Sequence, residues 1–251
     1  MKLIALQIRT ASDFAKNLEE LITLINSCEE NSLILAPELA LSGFAYDKME
    51  EAAQFSTNAI EKIKNLSQNK IIVLTFITKK EHNFFNTLYI FHNRQIVHTQ
   101  SKIKLFPLGN ELEYFGKGDE KDIKIIEING LKIATLICFE LRFPELWEKV
   151  KGADIILNPA MWGIKRKEHY ETISKALALV NQCFVVACNS ANDNMAKGSA
   201  IISPFGNVIK DDLKKNNDPK KNDSKTKIEA DFDIDEIKKV RTYIDIGLKN
   251  R

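Results

Sequence analysis

The sequence predicts an α/β fold with four layers, an α-β-β-α sandwich, in one domain that spans residues 1–251. Three observations lead to this prediction. Strand-like and helix-like segments alternate along the chain, which is typical of parallel strands connected by helices. Other strand-like segments are joined by tight-turn sequences, which indicates antiparallel hairpins. The chain has 251 residues, of which 44% are hydrophobic and 28% are charged, enough for a packed core under a charged surface.

The first part of the chain alternates between predicted strands and predicted helices. Short runs rich in Leu, Ile and Val indicate strands, and apolar residues spaced three or four apart indicate amphipathic helices. Pro37 ends the second strand because proline has no N–H to donate to a sheet. The predicted elements are a strand at 2–8, a helix after Ser12 that includes Ile25, a strand at 32–36, a helix at 49–66 and a strand at 71–76.

The remainder of the chain adds hairpins to this alternation. Asn129-Gly130 suits a tight primed turn, and Pro204-Phe205-Gly206 is a second turn signal. Residues 101–119 form a predicted loop that is too long to be a simple connection and is therefore a candidate functional loop. The predicted elements are hairpins at 85–100 and 123–137, a helix near 144–150, a strand at 154–157, a helix at 166–181, a strand at 184–188 and a hairpin at 198–210.

Residues 211–227 differ in character from the rest of the chain. They are rich in Lys, Asn and Asp and have almost no apolar side chains. Such a segment cannot offset the entropic cost of ordering by burying apolar surface. We therefore predict a mobile polar loop at 211–227.

Composition limits the partners that we expect. The formal net charge is only +2 and the lysines follow no aromatic stripe, so no nucleic-acid partner is expected. No apolar run approaches the roughly 20 residues of a membrane-spanning helix, so no membrane partner is expected either. The four cysteines form no CxxC pair, which indicates reduced thiols in the cytoplasm rather than disulfides or a metal site. These observations favour a small-molecule partner.

The segment around Cys138 carries the clearest chemical signal. An apolar predicted strand at 131–137 ends at this cysteine, and a helix is predicted soon after it. A strand-to-helix turn can hold a nucleophile rigidly and leave the backbone N–H of Phe139 free to bind an oxyanion. The alternative is a small buried cysteine without a chemical role.

A thiol nucleophile needs a base, and none of the four histidines lies in a recognisable pairing motif. Glu38 follows a predicted buried strand, where an apolar setting would raise its pKa and suit it to accept a proton. The alternative is a carboxylate in the first turn of a helix. The sequence therefore disfavours a Cys-His enzyme and makes Glu38 the candidate base.

Lys102 and Glu111 are two further candidates in the 101–119 loop. Lys102 stands beside apolar residues and could stabilise an oxyanion, although Lys104 could take the same role and either could be a surface lysine. Glu111 could orient the lysine or bind the substrate, and Glu113 competes for this assignment. Taken singly, each of these residues also fits an ordinary surface position.

The order of these residues and their flanking segments resemble the nitrilase superfamily of carbon-nitrogen hydrolases. The spacing of Glu111 to Tyr114-Phe115 and Gly118-Asp119 fits the family's second glutamate better than the spacing of Glu113 does. The resemblance extends over nearly the whole chain. The other matching segments are Pro37-Glu38-Leu39, Lys102 to Phe106, Cys138 to Glu145, Asn158-Pro159-Ala160, Asn181 to Val185 and Gly198 to Gly206.

The resemblance implies an α-β-β-α sandwich that forms a homodimer or a larger homo-oligomer and requires no cofactor and no metal. It implies Glu38 as general base, Lys102 as oxyanion stabiliser and Cys138 as nucleophile. Glu111 would hold the lysine and the substrate in register. The implied reaction is hydrolysis of a small carboxamide through a thioester acyl-enzyme, with release of ammonia.

Within the family, Met161-Trp162-Gly163, followed by Arg166 and His169, resembles the branch that acts on small aliphatic or ω-carboxamides. An N-carbamoyl amidase or a nitrilase is an alternative within the family. A non-catalytic metabolite-binding protein of the same fold is an alternative from another class. The residues expected to bind substrate are Phe139, Met161 and Trp162.

The sequence also departs from the family pattern. Phe139-Glu140 stands where Tyr-Asp is common, Lys104 where His is common and Ser190 where Arg is frequent. These positions are expected at the edge of the pocket, so they bear on substrate choice more than on reaction type. We expect Arg142 to be a structural ion-pair partner rather than a clamp for a substrate carboxylate.

Overall fold

The computed structural model describes residues 1–209 and 226–248. In this part of the chain the strands form two six-stranded sheets, and no helix is both long and apolar enough to cross a membrane. The strands are β1 (Lys2–Gln7), β2 (Ser32–Leu35), β3 (Lys70–Lys80), β4 (Asn83–His92), β5 (Gln95–Ser101), β6 (Ile126–Ile128), β7 (Leu131–Thr135), β8 (Ile155–Ala160), β9 (Phe184–Asn189), β10 (Ala200–Ile202), β11 (Val208–Ile209) and β12 (Thr226–Asp231). The helices are α1 (Phe14–Asn26), α2 (Met49–Leu66), α3 (Glu111–Tyr114), α4 (Pro144–Lys149), α5 (Lys167–Asn181) and α6 (Ile234–Tyr243).

Both sheets mix parallel and antiparallel strands. The first has the order β12-β1-β2-β3-β4-β5, and the second has the order β11-β10-β9-β8-β7-β6. In the first sheet β1, β2 and β3 are parallel, and in the second β7, β8 and β9 are parallel. Antiparallel pairs extend each sheet outward. Crossovers and hairpins therefore occur together, as the sequence predicts.

Alternate side chains of the strands bury two different layers. In β1, Leu3 belongs to a buried cluster that also contains Leu157 and Val185 of the second sheet, so this layer lies between the sheets. The next residue of β1, Ile4, belongs to a separate cluster with Leu21 of α1. Burial of each such side chain stabilises the fold by roughly 1.5–3 kcal/mol. The predicted α-β-β-α sandwich is confirmed.

The tight turns follow the predicted chemistry. Asn93 and Arg94, between β4 and β5, have φ values of 48° and 60°, and Asn129 and Gly130, between β6 and β7, have values of 53° and 77°. Two consecutive positive φ values define the primed turn that matches the twist of a hairpin. The prediction for β3 was too short, because this strand continues to Lys80 by pairing with β4 over its whole length.

The C-terminal strand corrects one predicted boundary. Residues 211–225 of the predicted mobile loop lie outside the described residues, but its last two residues belong to β12. The boundary was wrong because a polar strand can gain backbone hydrogen bonds from the edge of an existing sheet. Here Lys227 pairs with Leu6 of β1, and the alternate residues Ile228 and Ala230 are buried.

A buried ion pair attaches α6 to the second sheet. Arg241 Nη1 lies 3.5 Å from Asp154 Oδ1, and the two side chains are only 5% and 9% exposed. Arg241 Nη2 also donates to the carbonyl of Ala153 at 2.7 Å. The other oxygen of Asp154 accepts from the N–H of Lys132 at 3.0 Å. The helix and the start of β8 are therefore joined by paired buried charges.

We expect Asp154→Ala to lower the free energy of unfolding by about 3–5 kcal/mol, because it removes the Asp154 carboxylate from the buried Arg241 guanidinium. Urea denaturation followed by tryptophan fluorescence would measure this change. The control is Lys238→Ala in the exposed ion pair with Asp235, for which we expect a change of less than about 1 kcal/mol. Equal losses in both variants would contradict the prediction.

Candidate active site

Glu38 lies where the two sheets approach each other. It follows β2 and is fully buried. Its backbone N–H donates to the carbonyl of Ala160, at the end of β8 in the other sheet, at 3.3 Å. The next residue, Leu39, has φ of 47° and donates its N–H to the hydroxyl of Thr75. These contacts turn the chain away from the sheet and fix the carboxylate between the two layers.

Lys102 follows β5 directly and is also fully buried. Its N–H donates to the carbonyl of Asn86 at 2.9 Å, and its carbonyl accepts from the N–H of Gly118 at 3.0 Å. A Cβ atom on Gly118 would lie 2.0 Å from the carbonyl oxygen of Ser101, so only glycine permits this close backbone approach. The end of the 101–119 loop therefore packs against β5 at Gly118 and fixes the backbone of Lys102.

The second carboxylate of the site is Glu111 rather than Glu113. Glu111 begins the single-turn helix α3 and is 2% exposed, whereas Glu113 is exposed. Asn110 precedes it with φ of 58°, a conformation that asparagine tolerates better than most residues. Glu111 Oε2 accepts from the N–H of Phe106 at 3.1 Å, which directs the other oxygen toward the lysine.

One ammonium joins the two carboxylates. Lys102 Nζ lies 2.7 Å from Glu38 Oε1 and 2.8 Å from Glu111 Oε1. Asn86 Nδ2 donates to the same oxygen of Glu38 at 2.9 Å. Among the described residues, Glu38 Oε2 is buried and has no hydrogen-bond partner. Since an ammonium has three N–H groups, one remains after the two carboxylates are bound.

Burial and the neighbouring charges shift the pKa values of Lys102 and Glu111. Burial lowers the pKa of Lys102, but Glu38, Cys138 and Glu111 together raise it above its ordinary value, so the lysine stays charged. Burial raises the pKa of Glu111, and the nearby Glu38 charge acts in the same direction. Two carboxylates thus share one cation in a site from which water is largely excluded.

Cys138 begins a short 3₁₀ helix (Cys138–Arg142) just after β7. Its φ is 48°, an uncommon value for a residue with a side chain, and it is only 6% exposed. Burial raises the pKa of its thiol well above the ordinary value, the Glu38 charge raises it further and Lys102 opposes the shift. The resting cysteine is therefore a thiol, and a thiolate would form there only with the help of a base.

A small cavity opens over the thiol, with a volume of about 20 Å³ for the centre of a water-sized sphere. Ligand pockets commonly measure about 300–1,000 Å³, so this cavity is narrow. All three residues expected to bind substrate line it. Cys138, the predicted nucleophile, lines it too, but sequence reasoning did not assign Phe106, Arg142 or Arg166 to the pocket. The lining residues are Phe106, Cys138, Phe139, Arg142, Met161, Trp162 and Arg166.

The two arginines of the cavity stack on its aromatic walls. The guanidinium of Arg142 lies 4.5 Å from the centre of the Trp162 ring, and that of Arg166 lies 5.0 Å from the centre of the Phe106 ring. Burial and the positive charge of Arg166 lower the pKa of Arg142. Arg142 Nη2 contacts His169 Nδ1 at 2.9 Å. The prediction of an ion pair was wrong, since no carboxylate pairs with Arg142 within residues 1–209 and 226–248.

Asn86 is a site residue that sequence reasoning missed. It is 1% exposed, lies in β4 and contacts Glu38 through its side chain and Lys102 through its carbonyl. The sequence contained one indication of its role, because Asn86 is an amide in a strand that is otherwise rich in apolar residues. Its partners lie 48 and 16 positions away, so local sequence spacing did not reveal its role.

Comparisons with known proteins agree with this geometry. A model of the carbon-nitrogen hydrolase family matches residues 3–241. The chain is 31% identical over 188 residues to a 2-oxoglutaramate amidase of Bacillus subtilis, covering 70% of this chain and 72% of that protein. It is 26% identical over 184 residues to an omega-amidase of Yersinia enterocolitica, covering 72% and 71%.

A carbon-nitrogen hydrolase structure from Helicobacter pylori has the same fold, with a TM-score of 0.85 at 16% identity, covering 97% of this chain and 92% of that one. The sequence predicted both this fold and the family. The arrangement of sheets, the buried carboxylate-ammonium network beside a cysteine and the match over residues 3–241 lead to one assignment. The chain belongs to the carbon-nitrogen hydrolases of the nitrilase superfamily.

Proposed function

We propose that this hydrolase cleaves the carboxamide of a small ω-amido acid with Cys138 as nucleophile. The observation that carries the proposal is that Glu38 Oε2 has no hydrogen-bond partner in residues 1–209 and 226–248. Lys102 and Asn86 bind the other oxygen, so this one is left to accept the thiol proton. The raised pKa of Cys138 makes such a base necessary.

In the first half-reaction, Glu38 takes the proton of the thiol as the sulfur attacks the carbonyl carbon. The remaining N–H of Lys102 and the backbone N–H of Phe139 donate to the oxyanion. The first N–H groups of a helix have no acceptor within the helix, which leaves that of Phe139 for a ligand. The C–N bond then breaks, the nitrogen takes the proton from Glu38, and ammonia leaves a thioester.

In the second half-reaction, Glu38 takes a proton from water as the oxygen attacks the thioester carbon. The same N–H donors bind the second oxyanion. The C–S bond breaks, the carboxylic acid leaves, and the sulfur regains a proton from Glu38. Glu111 keeps Lys102 in place throughout, because it binds the lysine with one oxygen and the backbone of Phe106 with the other.

The cavity arginines support a substrate with a carboxylate at its far end. Arg142 and Arg166 stack on aromatic rings, which leaves guanidinium N–H groups for a ligand apart from Arg142 Nη2, which contacts His169. Each lowers the electrostatic cost of binding an anion, and the anion would relieve their mutual repulsion. The similarity to an omega-amidase and to a 2-oxoglutaramate amidase agrees with such a substrate.

We expect Cys138→Ala to abolish ammonia release from every substrate in a panel of ω-amido acids, neutral amides, ureido acids and nitriles. The wild type should release ammonia fastest from an ω-amido acid, and intact-protein mass spectrometry should detect an acyl adduct on Cys138. Cys28→Ala is the matched control, because Cys28 is buried beside α1 and distant in the fold from the cavity. Equal, negligible release by wild type and Cys138→Ala would favour a non-catalytic binding protein.

Glu38→Gln should change how the alkylation of Cys138 by iodoacetamide depends on pH. In the wild type Glu38 takes the proton internally, so we expect a nearly flat rate from pH 6 to 9. In the variant the thiolate must form by losing its proton to solvent. Burial still raises the pKa of the thiol, although the contribution of Glu38 is gone, so below that pKa the rate should rise about tenfold per pH unit. Peptide mass spectrometry would measure both profiles, and identical profiles would argue against Glu38 as the base.

Arg142→Met should weaken recognition of the distal carboxylate and leave the chemical step intact. We expect KM for an ω-amido acid to rise about 10-fold to 100-fold, the range for loss of a hydrogen bond to a charged group. The KM for a neutral amide of similar size should change by less than about threefold. Arg94→Met, in the exposed turn between β4 and β5, is the control. A similar KM increase for both amides would show that Arg142 does not bind the carboxylate.

A further inference from the structure

Glu140 is a second buried acid beside the site, outside the Lys102 network. It is fully buried in the short helix that begins at Cys138. Its Oε1 accepts from the N–H of Ile103 at 2.7 Å, and its Oε2 accepts from the N–H of Ile137 at 2.7 Å. Its own N–H donates to the carbonyl of Ile137 at 3.0 Å. Both carboxylate oxygens are therefore used by backbone.

The two backbone N–H groups that Glu140 binds belong to residues next to Lys102 and Cys138 in the chain. Ile103 follows Lys102, at the end of the first sheet, and Ile137 precedes Cys138, at the end of β7 in the second sheet. No strand pairing joins β5 to β7, since they belong to different sheets. One carboxylate thus links the backbone that carries the ammonium to the backbone that carries the thiol. The side chain of Gln100 in β5 also contacts Thr135 in β7, farther along the chain from both groups.

The chemistry of this link calls for a carboxylate. Two N–H donors need two acceptor oxygens, and an ionised acid offers two acceptors and no donor. Burial raises the pKa of Glu140 to about 7, while the backbone N–H groups of Ile103 and Ile137 and the charge of Lys102 oppose this rise. Glutamine has the same shape, but its amide nitrogen would face one of the two N–H groups.

We propose that Glu140 is a positioning residue that sets the separation of Lys102 Nζ and Cys138 Sγ by holding both backbones on one carboxylate. This inference rests on the proposed function, in which the lysine binds the oxyanion formed by attack of the sulfur. The distance between these two groups decides whether the oxyanion lies within hydrogen-bond reach. A displacement of 1 Å in such a geometry can reduce the rate about 100-fold.

The test compares Glu140→Gln with the wild type, using an ω-amido acid and ammonia release. Active sites are counted by brief iodoacetamide incorporation at Cys138 at pH 6, where the thiol of an unfolded chain is almost wholly protonated and reacts slowly, so that kcat refers to folded enzyme. We expect kcat per titrated site to fall about 30-fold to 100-fold, with KM within threefold of wild type. A purely structural role would lower the number of titrated sites and leave kcat per site unchanged.

Glu140→Asp keeps both acceptor oxygens on a side chain one methylene shorter, and its kcat per site should lie between those of the wild type and Glu140→Gln. If Glu140→Gln does not fold, Glu140→Asp tests the positioning role instead. We then expect its kcat per titrated site to be at least fivefold below that of the wild type. Glu145→Gln is the control, because this acid is exposed and pairs only with the side chain of Lys104 among the described residues.

The outcomes separate the inference from the proposed function. If wild type releases no ammonia from any substrate, the proposed function fails and this inference fails with it. If wild type is active and the Glu140 variants retain kcat per site within threefold, only the positioning role is overturned. A loss that appears in KM with unchanged kcat overturns it as well, because positioning of the oxyanion donor acts on the chemical step.

Discussion

The site depends on one ammonium that is shared by two carboxylates inside the protein. Lys102, Glu38 and Glu111 are each at most 2% exposed. Removing such charges from water costs several kcal/mol per ion, and close pairing offsets this cost only when the geometry is held firmly. Backbone contacts supply that geometry, because each of the three residues stands at a turn with its own hydrogen bonds. The rigidity of the turns is therefore a condition for keeping the charges buried.

The layered fold explains how these residues meet. Glu38 and Lys102 follow strands of the first sheet, and Cys138 follows a strand of the second. The core between the sheets brings the ends of these strands into one small space. The contact from Glu38 N–H to the carbonyl of Ala160 and the bonds of Glu140 then join the sheets beside Lys102 and Cys138. Packing of the core brings the ends of the two sheets together, and the buried polar contacts fix the distances between Glu38, Lys102 and Cys138.

Much of this arrangement could be predicted from sequence, for definable reasons. Apolar periodicity indicated β1, β2, β8 and β9, and Asn129-Gly130 indicated a primed turn, because these signals act over a few residues. The ordered segments around Glu38, Lys102 and Cys138 indicated the family. Asn86 and the stacking of Arg142 on Trp162 were not predicted, since they depend on partners brought close only by folding. The strand β12 was missed because its hydrogen bonds come from the edge of β1 rather than from its own composition.

The proposed reaction and the proposed recognition occupy different environments. The network around Lys102 is dry, so its charges interact strongly and leave little freedom for substitution. Arg142 and Arg166 lie toward the opening, where their charges are held by stacking on Trp162 and Phe106 rather than by buried ion pairs. A change at the opening would alter which acid or amide fits without disturbing the buried charges. In the proposed function, this separation would let the walls of the cavity determine which small substrate fits while the glutamate, lysine and cysteine stay unchanged.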